Sequence, residues 1–391
     1  MPKPKLTATR IIILLIPLLI LIGCGGDGNS SSSPPSSAPA ASTQITISNT
    51  TGTFTNSQTV TITGSNFGTK SPAKPLVWAD FEDGTVNPTN LGRITSWDRN
   101  NMSITTSGQD VNSTYSLRGM PCDPIAAPSC SGVSTNGLYG NASVAIYNGT
   151  NSVNATSVYV FMKRKYDDAN WWINQTSQTY PANYKYFRLW TNPLGVTPVY
   201  PDSVFVFGAG DSVPTFNFIT EFSIPNCSGV TTQRNTVNPG PPATQIWNRE
   251  EYQVYRNYGA GTANLWINGT LFQNFSGLYT SGGSNCYYSP YTDTWAAISL
   301  ENYWTNTPPP QSAFVYYDDI YIDDSWAKVM IGNQSTFTAS THREIQIPSA
   351  WTSTSITITV HQGSLNTGNA YLHVIDSNGN VNANGFLVQI Q

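Results

Sequence analysis

Apolar residues in this chain recur at every second position, and residues 75–326 contain no convincing amphipathic helix. Successive side chains of a strand point to opposite faces, so a period of two marks a half-buried strand. The pattern runs through Ile45 and Ile47, then Val60 and Ile62. It returns in SVYVFM at 157–162, YKYFRLW at 184–190, SVFVF at 203–207, YQVY at 252–255, TWAAISL at 294–300 and FVYY at 314–317. Residues 264–272 read NLWINGTLF. The Asn268-Gly269 pair inside that run is the strongest short signal for a two-residue type I′ hairpin. Many strands with turn signals between them predict an all-β chain of the sandwich or jelly-roll kind.

Composition agrees with export. Charged residues make up 10% of the chain, against about a quarter in ordinary globular proteins. Tyrosine (21) and tryptophan (11) are abundant, as are Thr, Ser, Asn and Gly. The net charge of −4 leaves no electrostatic footprint for nucleic acid, so that partner is excluded.

The N-terminus begins with Lys3, Lys5 and Arg10, followed by an apolar run at 11–22 broken only by Pro17. Twelve residues are too few to span a bilayer, which needs about 20. A positive start, a short apolar stretch and small residues at its end read as a secretory signal. That stretch ends Leu21-Ile22-Gly23-Cys24 and resembles the lipobox of bacterial lipoproteins. The resemblance implies a signal peptide at 1–23, lipidation of Cys24 and tethering to a membrane. Gly25 stands where Asp would signal retention at the inner membrane in that family, which implies the outer membrane and the cell surface. Residues 24–43 are mostly Gly, Ser, Pro, Ala and Asn, a flexible linker.

Four further cysteines remain, and export permits disulfides. Cys122 and Cys130 lie eight positions apart, which suits a local staple. Cys227 and Cys286 would then pair across a longer loop, one of three connectivities open to four cysteines. No CxxC spacing supports a zinc site.

Residues 59–68 read TVTITGSNFG, which resembles the opening of the IPT/TIG immunoglobulin-like domain. The chain's end resembles the remainder of that domain: AKVMIGN at 327–333, WTSTSITITV at 351–360, and a closing hairpin from 370–380 and 386–390. Two isolated strands are barely stable in water. The economical reading is one discontinuous immunoglobulin-like β-sandwich, residues 44–70 plus 327–391, with a second domain inserted at 75–326. Insertions of that kind are tolerated where the inserted ends lie close together.

The insert opens with DFEDG at 80–84, closes with YYDDIYID at 316–323, and carries the WING hairpin at 266–269. These elements resemble concanavalin-like, laminin-G-like jelly rolls, including carbohydrate-binding modules, in which first and last strands are neighbours. The likeness covers about a fifth of the insert and is more specific for fold than for ligand.

Three chemistries are weighed for the insert. Asp80 and Glu82 alternate along an expected strand, and Asp319 and Asp323 crowd the final one. Calcium takes six to eight oxygen ligands, and in related modules a structural calcium sits near these ends. Asp80, Glu82, Asp319 and Asp323 are its candidate ligands. For sugar recognition, Tyr184, Tyr186, Arg188 and Trp190 share one face of a strand, with Trp171 and Trp172 in the preceding loop. Aromatic walls with a few polar groups suit a polysaccharide, and Arg is rarely buried without a partner.

Catalysis is the third. All three histidines, His342, His361 and His373, fall outside the insert, against a Ser-His-Asp triad there. Glu221, Glu250, Glu251 and Glu301 are the candidates for a glycosidase pair. Tyr184 or Tyr186 with Arg188 could serve a lyase. The signature strings of neither class are present. The leading expectation is a non-catalytic, lipid-anchored, polysaccharide-binding surface protein. Its alternatives are a polysaccharide lyase or glycoside hydrolase on the same scaffold, and a structural or adhesive protein.

Overall fold

The computed structural model describes residues 44–100, 102–119, 143–146, 155–169, 183–190, 204–209, 218–223, 232–237, 242–257, 261–278, 295, 297–300, 303–305 and 314–391. Every regular element among the described residues is a strand, and every strand pairing is antiparallel. The chain is all-β, as the period-two pattern predicts.

Seven strands form one path. Its order is Thr46–Thr51, Thr59–Ser65, Ser355–Thr359, Arg343–Trp351, Lys328–Gly332, Gly368–Ile375 and Phe386–Ile390. Strands from before residue 70 and after residue 327 therefore lie side by side. Strand Arg343–Trp351 is the hinge of this sheet. Its first half pairs with Lys328–Gly332 and its second half with Ser355–Thr359, with a register shift between Pro348 and Ala350. Val60, Ile62, Ile356 and Ile358 from one side share an apolar cluster with Val329, Ile331, Leu372 and Val374 from the other. We call this body the base.

The strands between form two eight-stranded sheets. The first contains Trp247–Tyr255, Ser157–Tyr166 and Val315–Asp323 as consecutive neighbours. The short strand Val77–Ala79 pairs with Val315–Asp323, so the first and last strands of this region are adjacent. The second sheet runs in the order Thr232–Val237, Phe218–Ser223, Val204–Ala209, Asn183–Trp190, Ala297–Ser299, Ser143–Ile146 and Asp98–Asn100, and its eighth strand, Tyr303–Thr305, also pairs with Asn183–Trp190. The two sheets pack face to face. The Phe187 ring of the second stacks on the Tyr252 ring of the first, centroids 4.2 Å apart and planes 13° from parallel. Val158, Val160, Val254 and Leu265 on one side and Leu189, Ile298 and Leu300 on the other complete that core.

The expected hairpin is present. Gly261–Ile267 pairs with Thr270–Leu278, and Asn268 and Gly269 have φ of 49° and 73°. Both turn positions are left-handed, as a type I′ turn requires. A Cβ on Gly269 would lie 2.6 Å from the Ser340 carbonyl oxygen, so this tip is seated against the base.

Alternation in the first sheet decides what each face meets. Val158, Val160 and Met162 turn inward to the sandwich core, while Tyr159 and Phe161 turn outward. Outside, they join Trp78 and Tyr321 in a cluster with Met330, Ile345, Ile347 and Ile375 of the base. The centre of the first sheet is thus buried on both faces: strand Val315–Asp323 is buried at all nine positions and Ser157–Tyr166 at eight of ten.

Candidate functional site

The first sheet packs on the base, so the outer face of the second sheet is the one turned away from it. Strand Asn183–Trp190 sits in the middle of that second sheet. Phe187 and Leu189 are fully buried in the core, so Arg188 between them belongs to the opposite, outer face and is half-buried there. The register extends this position into a row. Arg188 is opposite Val206 on one side and Ser299 on the other. Val206 is opposite Glu221, and Glu221 is opposite Arg234. Directly paired positions share a face, so one cross-strand row holds two arginine positions and one glutamate. Trp190 is opposite Val204 and Ala297.

Alternation along this strand is interrupted. The register against Val204–Ala209 shifts between Phe207 and Gly208, which are opposite Phe187 and Lys185. Tyr186 is the extra residue of that bulge, so strict alternation does not run unbroken from Tyr184 to Trp190. Tyr184 is opposite Ala209 and Trp304. The positions of Trp171, Trp172 and Glu301 lie outside the described residues, as do Cys24, Cys122, Cys130, Cys227 and Cys286. Arg234 was not among the expected residues, and its strand TQRNTV has no apolar alternation to flag it. Only the pairing brings it into the row.

Glu250 and Glu251 are neighbours on one strand and so face opposite ways. Glu250 is fully buried. It accepts a hydrogen bond from the Tyr252 hydroxyl at 2.6 Å and lies 3.5 Å from Arg164. Burial pushes its carboxyl up, against Arg164 and Tyr252. Glu251 points to the base, where Arg343 donates to it at 2.7 and 3.2 Å and the Tyr159 hydroxyl at 2.9 Å. These two glutamates do not face each other and form no hydrolytic pair.

The acids expected to share a calcium ion are also placed differently. Strand Val77–Ala79 stops before Asp80. Phe81 has φ of 59° and is buried, so Asp80 and Glu82 lie in a turn rather than on one strand face. Glu82 accepts from the backbone N–H groups of Thr114 and Tyr115 at 2.9 and 3.2 Å. At the other end, Lys163 is opposite Asp318 while Phe161 is opposite Tyr321, which leaves one extra residue at Asp319, with φ of 50°. This bulge keeps Asp318 and Asp319 out of the sandwich core and turns Asp319 to the base.

Asp319 there lies 2.7 Å from Lys163 and 2.8 Å from His361. Lys163 also reaches Asp110 at 2.8 Å and Glu344 at 3.3 Å. Glu344 in turn is 2.9 Å from both Arg249 and His342. Burial works against the charge on Lys163, but Asp319, Glu344 and Asp110 outweigh it and hold the ammonium form. Burial likewise opposes His361, and Asp319 raises it. Asp80 is pushed up by burial and by Asp319. Asp323 engages Lys70 and the Tyr321 hydroxyl instead.

Asp319, Glu344 and His361 come close enough to hold a metal ion, yet the Lys163 ammonium already contacts two of the three, Asp319 and Glu344. Glu82, Asp319 and Asp323 answer to three separate partner sets. The residues present do not fit a calcium cage, which requires carboxylate and carbonyl oxygens free to converge on one point.

No family profile matches this chain, and no curated protein does. Among solved structures it is similar to an alginate lyase in complex with an alginate tetrasaccharide, at 11% identity over 53% of this chain and 80% of that one, with a TM-score of 0.33. It is similar to domain 4 of an extracellular arabinanase from Geobacillus stearothermophilus in complex with arabinotriose, at 12% identity over 64% and 92%, TM-score 0.36. A botulinum neurotoxin binding domain is similar at 10% identity over 78% and 63%, TM-score 0.34. At such identities and scores the likenesses assign neither a ligand nor an activity.

Proposed function

We propose that this chain is a lipid-anchored bacterial surface protein that binds polysaccharide, without cleaving it, through the outer face of its second sandwich sheet. Cys24 carries the lipid at the outer membrane, residues 24–43 are the tether, and the immunoglobulin-like base holds the jelly roll away from the bilayer. The observation that carries the reading is the coverage of the sandwich. The base and the first sheet bury each other through Tyr159, Phe161, Tyr321, Met330 and Ile345. The remaining broad face has Arg188 at its centre, between Tyr186 and Trp190 in sequence and in one row with Glu221 and Arg234. Pyranose rings stack on aromatic side chains, and guanidinium groups donate to hydroxyls and carboxylates.

A glycan array probed with the purified protein tests this reading. Retention by at least one polysaccharide, with no shortening of the bound chain on incubation, is expected. Binding to none would overturn it. Release of oligosaccharide products would replace it with a lyase or hydrolase.

A further inference from the structure

Lys70 and Asp323 stand where the chain enters and leaves the sandwich. Lys70 follows strand Thr59–Ser65, and Asp323 ends strand Val315–Asp323. Their side chains are 2% and 0% exposed. The Lys70 Nζ meets Oδ2 of Asp323 directly. The Tyr321 hydroxyl bridges the two, accepting from Nζ at 3.2 Å and donating to Oδ2 at 2.7 Å. The Tyr321 and Trp351 rings flank the amine, each centroid 5.9 Å from Nζ. The other Asp323 oxygen, Oδ1, is buried and accepts no hydrogen bond; the guanidinium of Arg93 lies 3.8 Å from it.

An ammonium and a carboxylate withdrawn from water carry a heavy desolvation cost. Transfer of one proton within the pair gives an amine against a carboxylic acid and leaves no charge to be kept from water. Burial does raise the Asp323 carboxyl, to about 6, against the pull of Lys70. A neutral amine held against a neutral carboxylic acid is an amide-forming pair.

We propose that Lys70 and Asp323 condense to an intramolecular isopeptide bond. Neutral Nζ attacks Cγ of the protonated carboxyl, and the N–Cγ bond forms. One Nζ proton passes to the Tyr321 oxygen while the Tyr321 proton passes to Oδ2. The Cγ–Oδ2 bond breaks, Oδ2 leaves as water, and Oδ1 remains as the amide carbonyl. One amine and one acid give one amide and one water, with no oxidant, reductant or activating nucleotide. Two buried charges become one neutral amide, which is far less costly to keep from water. The bond ties the segment entering the sandwich to the strand leaving it. It does not depend on the glycan-binding reading.

Peptide mapping of the full-length chain, reduced and alkylated before digestion, tests the bond. The expected product is a branched peptide joining the Lys70 and Asp323 fragments, lighter than their sum by one water. Lys70→Arg keeps the charge and lacks the branched peptide; Tyr321→Phe accumulates it more slowly. Linear peptides with unmodified Lys70 and Asp323 from folded wild-type protein overturn the proposal. So does a water deficit confined to the Asp323 fragment, which would be a cyclic imide. The wild-type digest decides by itself, so a variant that fails to fold does not obscure the answer.

Discussion

Lys163 of the sandwich and Glu344 of the base meet across their seam, Nζ 3.3 Å from Oε2, with neither side chain reaching water. Asp319 and Asp110 close on the same ammonium at 2.7 and 2.8 Å. Three carboxylates thus share this cation, and its removal leaves Asp319 to His361 and Glu344 to Arg249 and His342. Lys163→Met is expected to destabilise the protein by about 3–5 kcal/mol, the range for breaking a buried ion pair on one side. Denaturant unfolding measures it, and a loss under 1 kcal/mol would show that the seam does not depend on this charge.

His373 predicts an acid limb. It is buried in the base, its Nε2 facing the Gln334 carbonyl oxygen at 3.2 Å. Burial lowers its pKa from 6.5 to about 4, with the Gln334 contact opposing. A folded pKa below the unfolded one means that the unfolded chain binds the proton first. The stability from neutral His373 is therefore complete above pH 6.5 and lost as pH falls towards 4. His373→Gln should flatten the decline of melting temperature over that window relative to wild type. Parallel declines would refute the assignment.

How much of this was legible beforehand differs element by element. The hairpin at Asn268-Gly269 could be read from two residues because a type I′ turn needs left-handed backbone at both, and Asn-Gly supplies it most easily. The pairing of the first and last sandwich strands was likewise expected. The seam was not. In strand Val315–Asp323 the inward residues are Tyr317, then Ile320 and Ile322, a slip of phase that marks the bulge at Asp319. The slip is present in YYDDIYID, but its acids suggested a metal shell. What binds Asp319 is Lys163 and His361, and what binds Asp323 is Lys70, residues remote in sequence that only tertiary pairing brings together. Glu221 and Arg234 joined the Arg188 row for the same reason.

Chelation should have no effect on folding. Lys163 and Lys70 already neutralise Asp319 and Asp323, and Glu82 is held by backbone N–H groups. Melting curves with and without a calcium chelator are expected to coincide. A drop of several degrees on chelation, reversed by added calcium, would restore the ion to these residues.

Gly269 carries two constraints together: φ of 73°, and a carbonyl oxygen 2.6 Å from where a Cβ would stand. Gly269→Ala should cost about 1–3 kcal/mol, the range for a non-glycine residue forced into a left-handed position. The seating on Ser340 makes the loss fall on the junction with the base as well as on the hairpin. An alanine variant as stable as wild type would mean that the tip does not bear on the base.

If polysaccharide is held on the outer face around Arg188, affinity electrophoresis in gels containing the polysaccharide found on the array should separate wild type from Arg188→Ala. Loss of a charge-assisted hydrogen bond of about 1.5–3 kcal/mol corresponds to roughly 10–100-fold weaker retention, with the melting temperature held. Retention of the Arg188→Ala chain equal to that of wild type would mean that the glycan does not sit at Arg188.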